Sequence, residues 1–187
     1  MAEQAIGHVC PPSVTRWLNS GLRKLVQSPR RIFGPHVEPG DHAVDLGCGG
    51  GFFSAGLAEL VGERGRVTAV DLQPEMLEIT KRYAERQGVR DRVTLHHCTE
   101  NDLGLLGEQA DFVVAFYMVH EVPDRARLLR QVRNLLDPGA RFMMVEPSFH
   151  VKKAQFEAML GEAEAAGLKV VQPVKLLFSR GMLFEVG

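Results

Sequence analysis

Val44-Asp45-Leu46-Gly47-Cys48-Gly49-Gly50-Gly51-Phe52 decides the fold of this chain. It reads as the end of a buried strand, a glycine-rich turn and the start of a helix. Glycines in such a turn let backbone N–H groups approach a ligand closely. Asp45 places a carboxylate on a turn that phosphate-binding loops keep uncharged. A pyrophosphate is repelled there, and a ligand carrying an ammonium group is attracted. The dinucleotide pattern G-x-G-x-x-G also fails, because counting from Gly47 and Gly49 puts Phe52 at the third glycine position.

What fits is D-x-G-x-G-x-G, from Asp45 through Gly47 and Gly49 to Gly51. In this the chain resembles the class I S-adenosylmethionine-dependent methyltransferases, whose first motif has that form. The resemblance covers roughly residues 40 to 187. A glycine-rich turn without a ligand is the bland alternative, and the strand–turn–helix context argues against it.

The rest of the chain alternates in type. Phe53 to Val61 carries apolar residues at helical spacing and stops at Gly62. Val67-Thr68-Ala69-Val70 is β-rich and closed by Asp71. Pro74 opens a helix that runs to about Gln87, with Gly88 as its stop. Val93 to His97, Phe112 to Phe116 and Arg141 to Val145 are further strand candidates. Asp124 to Leu136 is an amphipathic helix ended by Asp137-Pro138-Gly139, and Lys152 to Ala166 is another, ended by Gly167. Strands alternating with helices imply a parallel sheet with right-handed crossovers.

The last segment breaks that order. Leu168 to Phe178 and Met182 to Val186 are β-rich runs, and Ser179-Arg180-Gly181 is the expected turn of a hairpin between them. One strand must then run antiparallel, as at the end of class I methyltransferase sheets. The expected class is α/β: a doubly wound Rossmann-like sheet, mostly parallel, with a C-terminal antiparallel hairpin strand and an N-terminal helical cap. The cap is assigned to residues 1–40 and the S-adenosylmethionine-binding domain to residues 41–187. Within the cap Leu18, Leu22, Leu25 and Val26 have helical spacing, beside the single tryptophan Trp17.

Composition excludes several classes. The 22 Lys and Arg balance 23 Asp and Glu, which gives no reason to expect nucleic acid or an anionic membrane as partner. No apolar run is long enough to span a bilayer, so no membrane insertion is expected, and the N-terminus lacks a signal-peptide pattern. Cys10, Cys48 and Cys98 are an odd, sparse set that suits a reducing cytoplasm. They lack metal-ligand spacing, and no metal is expected.

The strand ends supply the site candidates, because open parallel sheets bind ligands beyond the carboxyl ends of their strands. By resemblance, Asp45, Gly47, Cys48, Gly49 and Gly51 hold the methionine part of the cofactor. Asp71 is placed to accept hydrogen bonds from the ribose hydroxyls, and Leu72 to lie on the adenine. Helix capping ahead of Pro74 is the alternative role for Asp71. After the third strand the chain reads Cys98-Thr99-Glu100-Asn101-Asp102-Leu103, with Thr99 where the family often has an adenine-binding aspartate. Glu100 or Asn101 is then the adenine contact.

Ala115-Phe116-Tyr117-Met118-Val119-His120-Glu121 resembles the region after strand four in the ubiquinone/menaquinone-type methyltransferases. Phe116 would border the cofactor. His120 would lie beside the transferred methyl as proton acceptor, with Glu121 orienting it or binding substrate. Glu146 and His150 are candidate substrate contacts. No Asn-Pro-Pro-Tyr or Asp-Pro-Pro-Tyr sequence is present, so the expected acceptor is a small molecule rather than a nucleic acid. The expected reaction is direct displacement of the methyl from S-adenosylmethionine. The rivals are an NAD-dependent oxidoreductase and a non-catalytic S-adenosylmethionine-binding module.

Overall fold

The computed structural model describes residues 27–187. The expected helix around Leu18 to Val26, together with Trp17 and Cys10, lies outside the described residues. The described chain opens with a short helix α1 (Pro29–Phe33). Strand β1 (His42–Leu46) and helix α2 (Phe52–Val61) follow. Next come β2 (Arg66–Asp71), α3 (Pro74–Gln87), β3 (Val93–His97) and β4 (Ala110–Phe116). Helix α4 (Arg125–Leu135), β5 (Leu136–Pro147), α5 (Lys153–Ala165), β6 (Leu168–Val174) and β7 (Ser179–Val186) complete it.

The seven strands form one sheet in the order β3-β2-β1-β4-β5-β7-β6. The pairs among β1 to β5 are parallel, and β7 runs antiparallel to both β5 and β6. Every residue of β1 is buried, as expected for a central strand covered on both faces. Alternate side chains feed two cores. One holds Phe33, Phe53, Leu57, Phe112 and Met143; the other holds Leu129, Val132, Phe142, Met144 and Phe156. No described helix is long and apolar enough to cross a membrane.

The helix boundaries follow local chemistry. Helix α3 has proline in its first turn and ends on Gly88 at φ 70°, a left-handed C-terminal cap. Asp124 caps α4 by accepting the Arg127 N–H at 2.9 Å. Upstream of residue 41, Ile32, Phe33 and Val37 are already part of the core, with the Phe33 ring 5.3 Å from Phe53 and 5.8 Å from Phe112.

Two expectations about β structure need correction. Ser179, Arg180 and Gly181 are not the hairpin turn; they belong to β7 and pair with Pro147, Glu146 and Val145. Gly181 is a close-packing glycine: a Cβ there would lie 2.9 Å from Val174 Cβ. The turn is instead Leu176 to Ser179, with Phe178 at φ 58°. Asp137-Pro138-Gly139 is not what ends α4: the helix stops at Leu135 and the three residues lie inside β5, where a register shift against β4 takes up the irregularity.

Candidate functional site

Strand order reverses between β1 and β4, so the loops after these two strands diverge to opposite faces and leave a crevice. The glycine loop fills one side of it. Cys48 N–H donates to Val70 O at 2.9 Å, which ties the loop to β2. Gly49 N–H donates to Asp71 Oδ2 at 2.8 Å, and Gln73 N–H donates to Asp71 Oδ1 at 2.9 Å. Asp71 therefore fastens the first loop to the second. It remains 7% exposed at the sheet edge. Burial pushes its carboxyl above the usual range, and the N–H groups of Gln73 and Gly49 pull it back. A carboxylate offers about four acceptor positions. Besides the two N–H groups, Cys48 Sγ–H makes a long contact to Oδ2 at 3.9 Å, weak enough to leave the carboxylate open to hydroxyl donors.

Asp45 sits deeper. Its carboxylate is buried and accepts Ser54 Oγ–H at 2.5 Å, at the start of α2. Cys48 turns its thiol inward, 3.5 Å from Thr80 Oγ1. Burial pushes that thiol well above its ordinary value, with the Asp45 and Asp71 charges adding to the effect. The residue is thus part of the loop's floor, and a reactive thiolate is disfavoured.

Thr80, on the inner face of α3, is a site residue that the sequence reading missed. It is fully buried, and its hydroxyl donates to Gly49 O at 2.8 Å. Thr80 also fixes the identity of residue 51. Gly51 has φ 77°, and a Cβ on it would stand 2.9 Å from both Cα and Cγ2 of Thr80. The clash is with helix backbone, which cannot step aside. Gly51→Ala is expected to cost about 2–4 kcal/mol, from left-handed strain plus overpacking. In thermal unfolding this is a loss of about 5–15 °C for a chain of this size. An unchanged transition would mean that the loop is looser than described.

At the second and third strand ends, Leu72 is exposed and its carbonyl lies 3.0 Å from His97 Nε2. Thr99 and Asp102 close a turn through Thr99 N–H to Asp102 O at 2.9 Å and Asp102 N–H to Thr99 Oγ1 at 3.1 Å. Glu100 and Asn101 form its exposed tip, and Gln131 Nε2 donates to Asn101 O at 3.2 Å. Cys98, between this turn and Asp71, has its thiol pushed up to about 11 by burial and the Asp71 charge.

The other wall is the segment after β4. Phe116 is buried, its ring 4.2 Å from Phe53 and 4.6 Å from Tyr117, so it packs as core beneath the crevice. Tyr117 adopts φ 65°, costly for a bulky residue. Its hydroxyl is held by Ser179 Oγ at 2.5 Å and Gln27 Nε2 at 3.0 Å, and its N–H by Val145 O. The turn directs Met118 across the crevice. A Cβ on Gly47 would lie 3.0 Å from Met118 Cβ, so the two loops are in direct contact.

His120 follows in a short 3-10 turn (Val119–Glu121). Its Nδ1 is 2.5 Å from Glu146 Oε2, and Glu146 Oε1 accepts the Val119 N–H at 3.0 Å. Glu146 is 0% exposed. This corrects two expectations. Glu146 is too deep to touch substrate, and it, not Glu121, orients His120. The reason is register: Phe116 pairs with Val145, which sets Glu146 below the turn that leaves β4. Glu121 Oε1 lies 4.0 Å from His120 Nε2, beyond hydrogen-bond reach. The His150 ring lies 4.9 Å from that of His120, edge to face.

The electrostatics follow from this pairing. The hydrogen bond to Glu146 holds the His120 pKa above its ordinary value, against the opposing effect of burial. Burial raises the Glu121 carboxyl, and the neighbouring His120 pulls it back. A carboxylate only accepts, so Nδ1 of neutral His120 carries the proton and Nε2 keeps its lone pair. The arrangement can receive a proton at Nε2, beside a loop suited to a cationic ligand.

Known proteins resemble this chain in sequence and in fold. A family model described as a methyltransferase domain matches residues 37–177. Among curated relatives, the demethylmenaquinone methyltransferase of Symbiobacterium thermophilum is 32% identical over 113 residues, 60% of this chain and 45% of that protein. The 2-phytyl-1,4-naphtoquinone methyltransferase of Trichormus variabilis is 30% identical over 134 residues, 72% of this chain and 57% of that protein. The chain thus spans about half the length of the curated relatives it matches. A SAM-dependent methyltransferase from Aquifex aeolicus superposes with TM-score 0.84 at 22% identity, covering 95% of this chain and 99% of that one. Fibrillarin from Aeropyrum pernix, solved with natively bound S-adenosyl-L-methionine, superposes with TM-score 0.65 at 18% identity, covering 91% and 74%. At such identities the two structures establish a common fold, that of the class I methyltransferases. The family match runs from Val37, where the chain enters the core, to Leu177 in the hairpin turn; with the acidic glycine loop inside it, this chain belongs to the methyltransferase-domain family.

Proposed function

We propose that this chain transfers the methyl group of S-adenosylmethionine to a small hydroxylated aromatic acceptor, with His120 taking a proton from it. The observation that carries the reading is the His120–Glu146 pair placed across the β1/β4 crevice from the acidic glycine loop. The loop backbone around Gly47 and Gly49 would receive the methionine part of the cofactor. Asp45 would act on its ammonium group through the loop floor. Asp71 would accept from the ribose hydroxyls, Leu72 would lie on the adenine, and the Glu100–Asn101 tip would close over it.

The names of the relatives suggest an acceptor class: a naphthoquinone-type ring. Only its reduced, dihydroxy form is electron-rich enough to attack a methyl group. His120 Nε2 takes the proton of a ring hydroxyl, and the adjacent ring carbon attacks the methyl. The C–S bond breaks with its electron pair going to sulfur, which leaves the neutral thioether S-adenosylhomocysteine. The ring carbon then loses its hydrogen as a proton while the oxygen regains one, and aromaticity returns. The sulfonium already activates the methyl, so alignment is the protein's main contribution, with proton acceptance adding about 10²–10⁴-fold. The two free cysteines of the described residues, Cys48 and Cys98, suit a reducing compartment such as the cytoplasm.

Ligand-dependent unfolding tests the reading. S-adenosylhomocysteine at about 100 times its dissociation constant should raise the transition by roughly 5–10 °C. NAD should leave it unmoved. Stabilisation by NAD alone would replace this reading with that of an oxidoreductase. Stabilisation by S-adenosylhomocysteine without methyl transfer to any reduced naphthoquinone or other phenolic acceptor would favour a binding module.

A further inference from the structure

We propose that Phe149, Leu177 and Phe178, with the lysines around them, form a docking rim that seats the catalytic edge of the sheet on an anionic phospholipid surface. The proposal goes beyond the methyl-transfer reading and has its own test. These three side chains are 83%, 67% and 74% exposed. They belong to two loops that touch, since Ser148 N–H donates to Phe178 O at 2.9 Å. Both loops stand at the catalytic edge: the first follows Glu146 at the end of β5, and the second precedes Ser179, whose hydroxyl meets Tyr117.

Phe178 is the telling residue. Ser179 N–H reaches back to Leu176 O, so Leu177 and Phe178 are the two central residues of a tight turn. Phe178 takes its third position at φ 58°. That position favours glycine or asparagine. A bulky aromatic accepts the strain here and gains little burial among the described residues in return, which points to a contact beyond them.

The surrounding charge selects the partner. Lys152, Lys153 and Lys175 are exposed beside the apolar tips. Of these, Lys153 is partly offset by Glu157 at 3.5 Å. Behind the tips, a groove of about 640 Å³ lies between α5 and the β6–β7 hairpin, with Phe156, Leu160, Leu176 and Met182 in its lining. Apolar tips flanked by lysines are the chemistry of an interfacial anchor: rings enter the headgroup boundary and ammonium groups meet lipid phosphates. The near-neutral composition gives no reason to expect an anionic membrane; the two loops concentrate locally what composition averages away. Arg180 stiffens the rim, donating to Ser148 O at 3.1 Å and Val151 O at 3.0 Å.

Co-sedimentation of the full chain with vesicles tests this. It should bind vesicles of three parts phosphatidylcholine to one part phosphatidylglycerol, and bind phosphatidylcholine alone more weakly. Binding to the anionic vesicles should fall as salt rises from about 0.1 M to about 1 M. Phe178→Gly, which relieves the turn, should unfold no earlier than the wild type yet partition about tenfold more weakly; Phe149→Ser combined with it should lose about a further tenfold. S-adenosylhomocysteine binding should be unchanged in both. Absence of wild-type binding, or equal binding by the double variant, overturns the proposal. So does a vesicle-free dimer that the double variant abolishes, which would assign the rim to a second copy of this chain.

Discussion

Asp71→Asn is expected to weaken S-adenosylhomocysteine binding about 100-fold. The carboxylate is proposed to accept two ribose hydroxyls, and hydrogen bonds to a charged group are worth about 1.5–3 kcal/mol each. Loss of the charge at unchanged shape removes roughly 3 kcal/mol, which is about two powers of ten in affinity. The amide also disturbs the loop. Both Asp71 oxygens already accept backbone N–H groups, one from Gly49 and one from Gln73. An asparagine offers one oxygen and one NH2, so one of those N–H groups faces a donor. A buried unpaired donor costs about 1–3 kcal/mol, and the ligand-free protein should unfold earlier. The two effects separate with adenosine and its 2′,3′-dideoxy analogue, measured by calorimetry. The wild type should prefer adenosine strongly, and the Asn variant should lose that preference. If the variant discriminates as well as the wild type, the ribose contact belongs to another residue, and Asp71 only fastens the two loops.

The first half of this site is legible in the sequence because its chemistry is local. Gly47, Gly49 and Gly51 declare the turn, Asp71 closes the next strand, and Pro74 with Gly88 bound a helix whose ends lie where those residues put them. The second half is not local. His120 is visible as a histidine after a strand, but its partner lies 26 residues away and meets it only because β4 and β5 are neighbours. A signal for it exists. Phe142, Met144 and Glu146 share one face of β5 by parity, and a carboxylate continuing a buried apolar face must be paired. Adjacency of the fourth and fifth strands in this fold then leaves His120 as the nearest donor. Glu121 was the more obvious choice by sequence proximity, yet neighbours along a tight turn point apart.

Thr80 was hidden differently. It lies on the face of α3 that also buries Met76, Leu77, Tyr83 and Ala84, and there it reads as filler. A hydroxyl on such a face needs an acceptor, and the glycine loop opposite supplies Gly49 O. The hairpin was misread for the opposite reason. Gly181 looks like punctuation, but it is small because Val174 crosses it, while the true turn places Phe178 where turn chemistry asks for glycine. Where local preference and structure disagree in this way, the exposed partner-facing surface is the place to look.

Glu146→Gln is expected to do more than its isosteric shape suggests. The glutamate accepts at both oxygens: from Val119 N–H at Oε1 and from His120 Nδ1 at Oε2. A glutamine can satisfy Val119 only by turning its carbonyl there, which aims its NH2 at Nδ1. Nδ1 must then accept, so the imidazole proton moves to Nε2. The nitrogen facing the crevice becomes a donor and can no longer take a proton. Turnover should therefore fall by much of the 10²–10⁴-fold that proton acceptance contributes, with cofactor affinity little changed. The pH profile gives the sharper reading. In the wild type the Glu146 hydrogen bond raises the His120 pKa, so the acidic limb of kcat/KM lies above the ordinary histidine value of 6.5. In the Gln variant the residual limb should move to lower pH. Stability follows the same linkage. A raised folded pKa contributes stability that is complete below the unfolded value of about 6.5 and disappears as pH rises through the folded value. The melting gap between wild type and variant should thus be widest near pH 6 and narrow toward pH 9. A variant with an unmoved limb and a pH-independent gap would show that Glu146 only holds the Val119 turn. Loss of turnover with the limb unmoved would assign the proton to another group, with Glu121 next in line at 4.0 Å from Nε2.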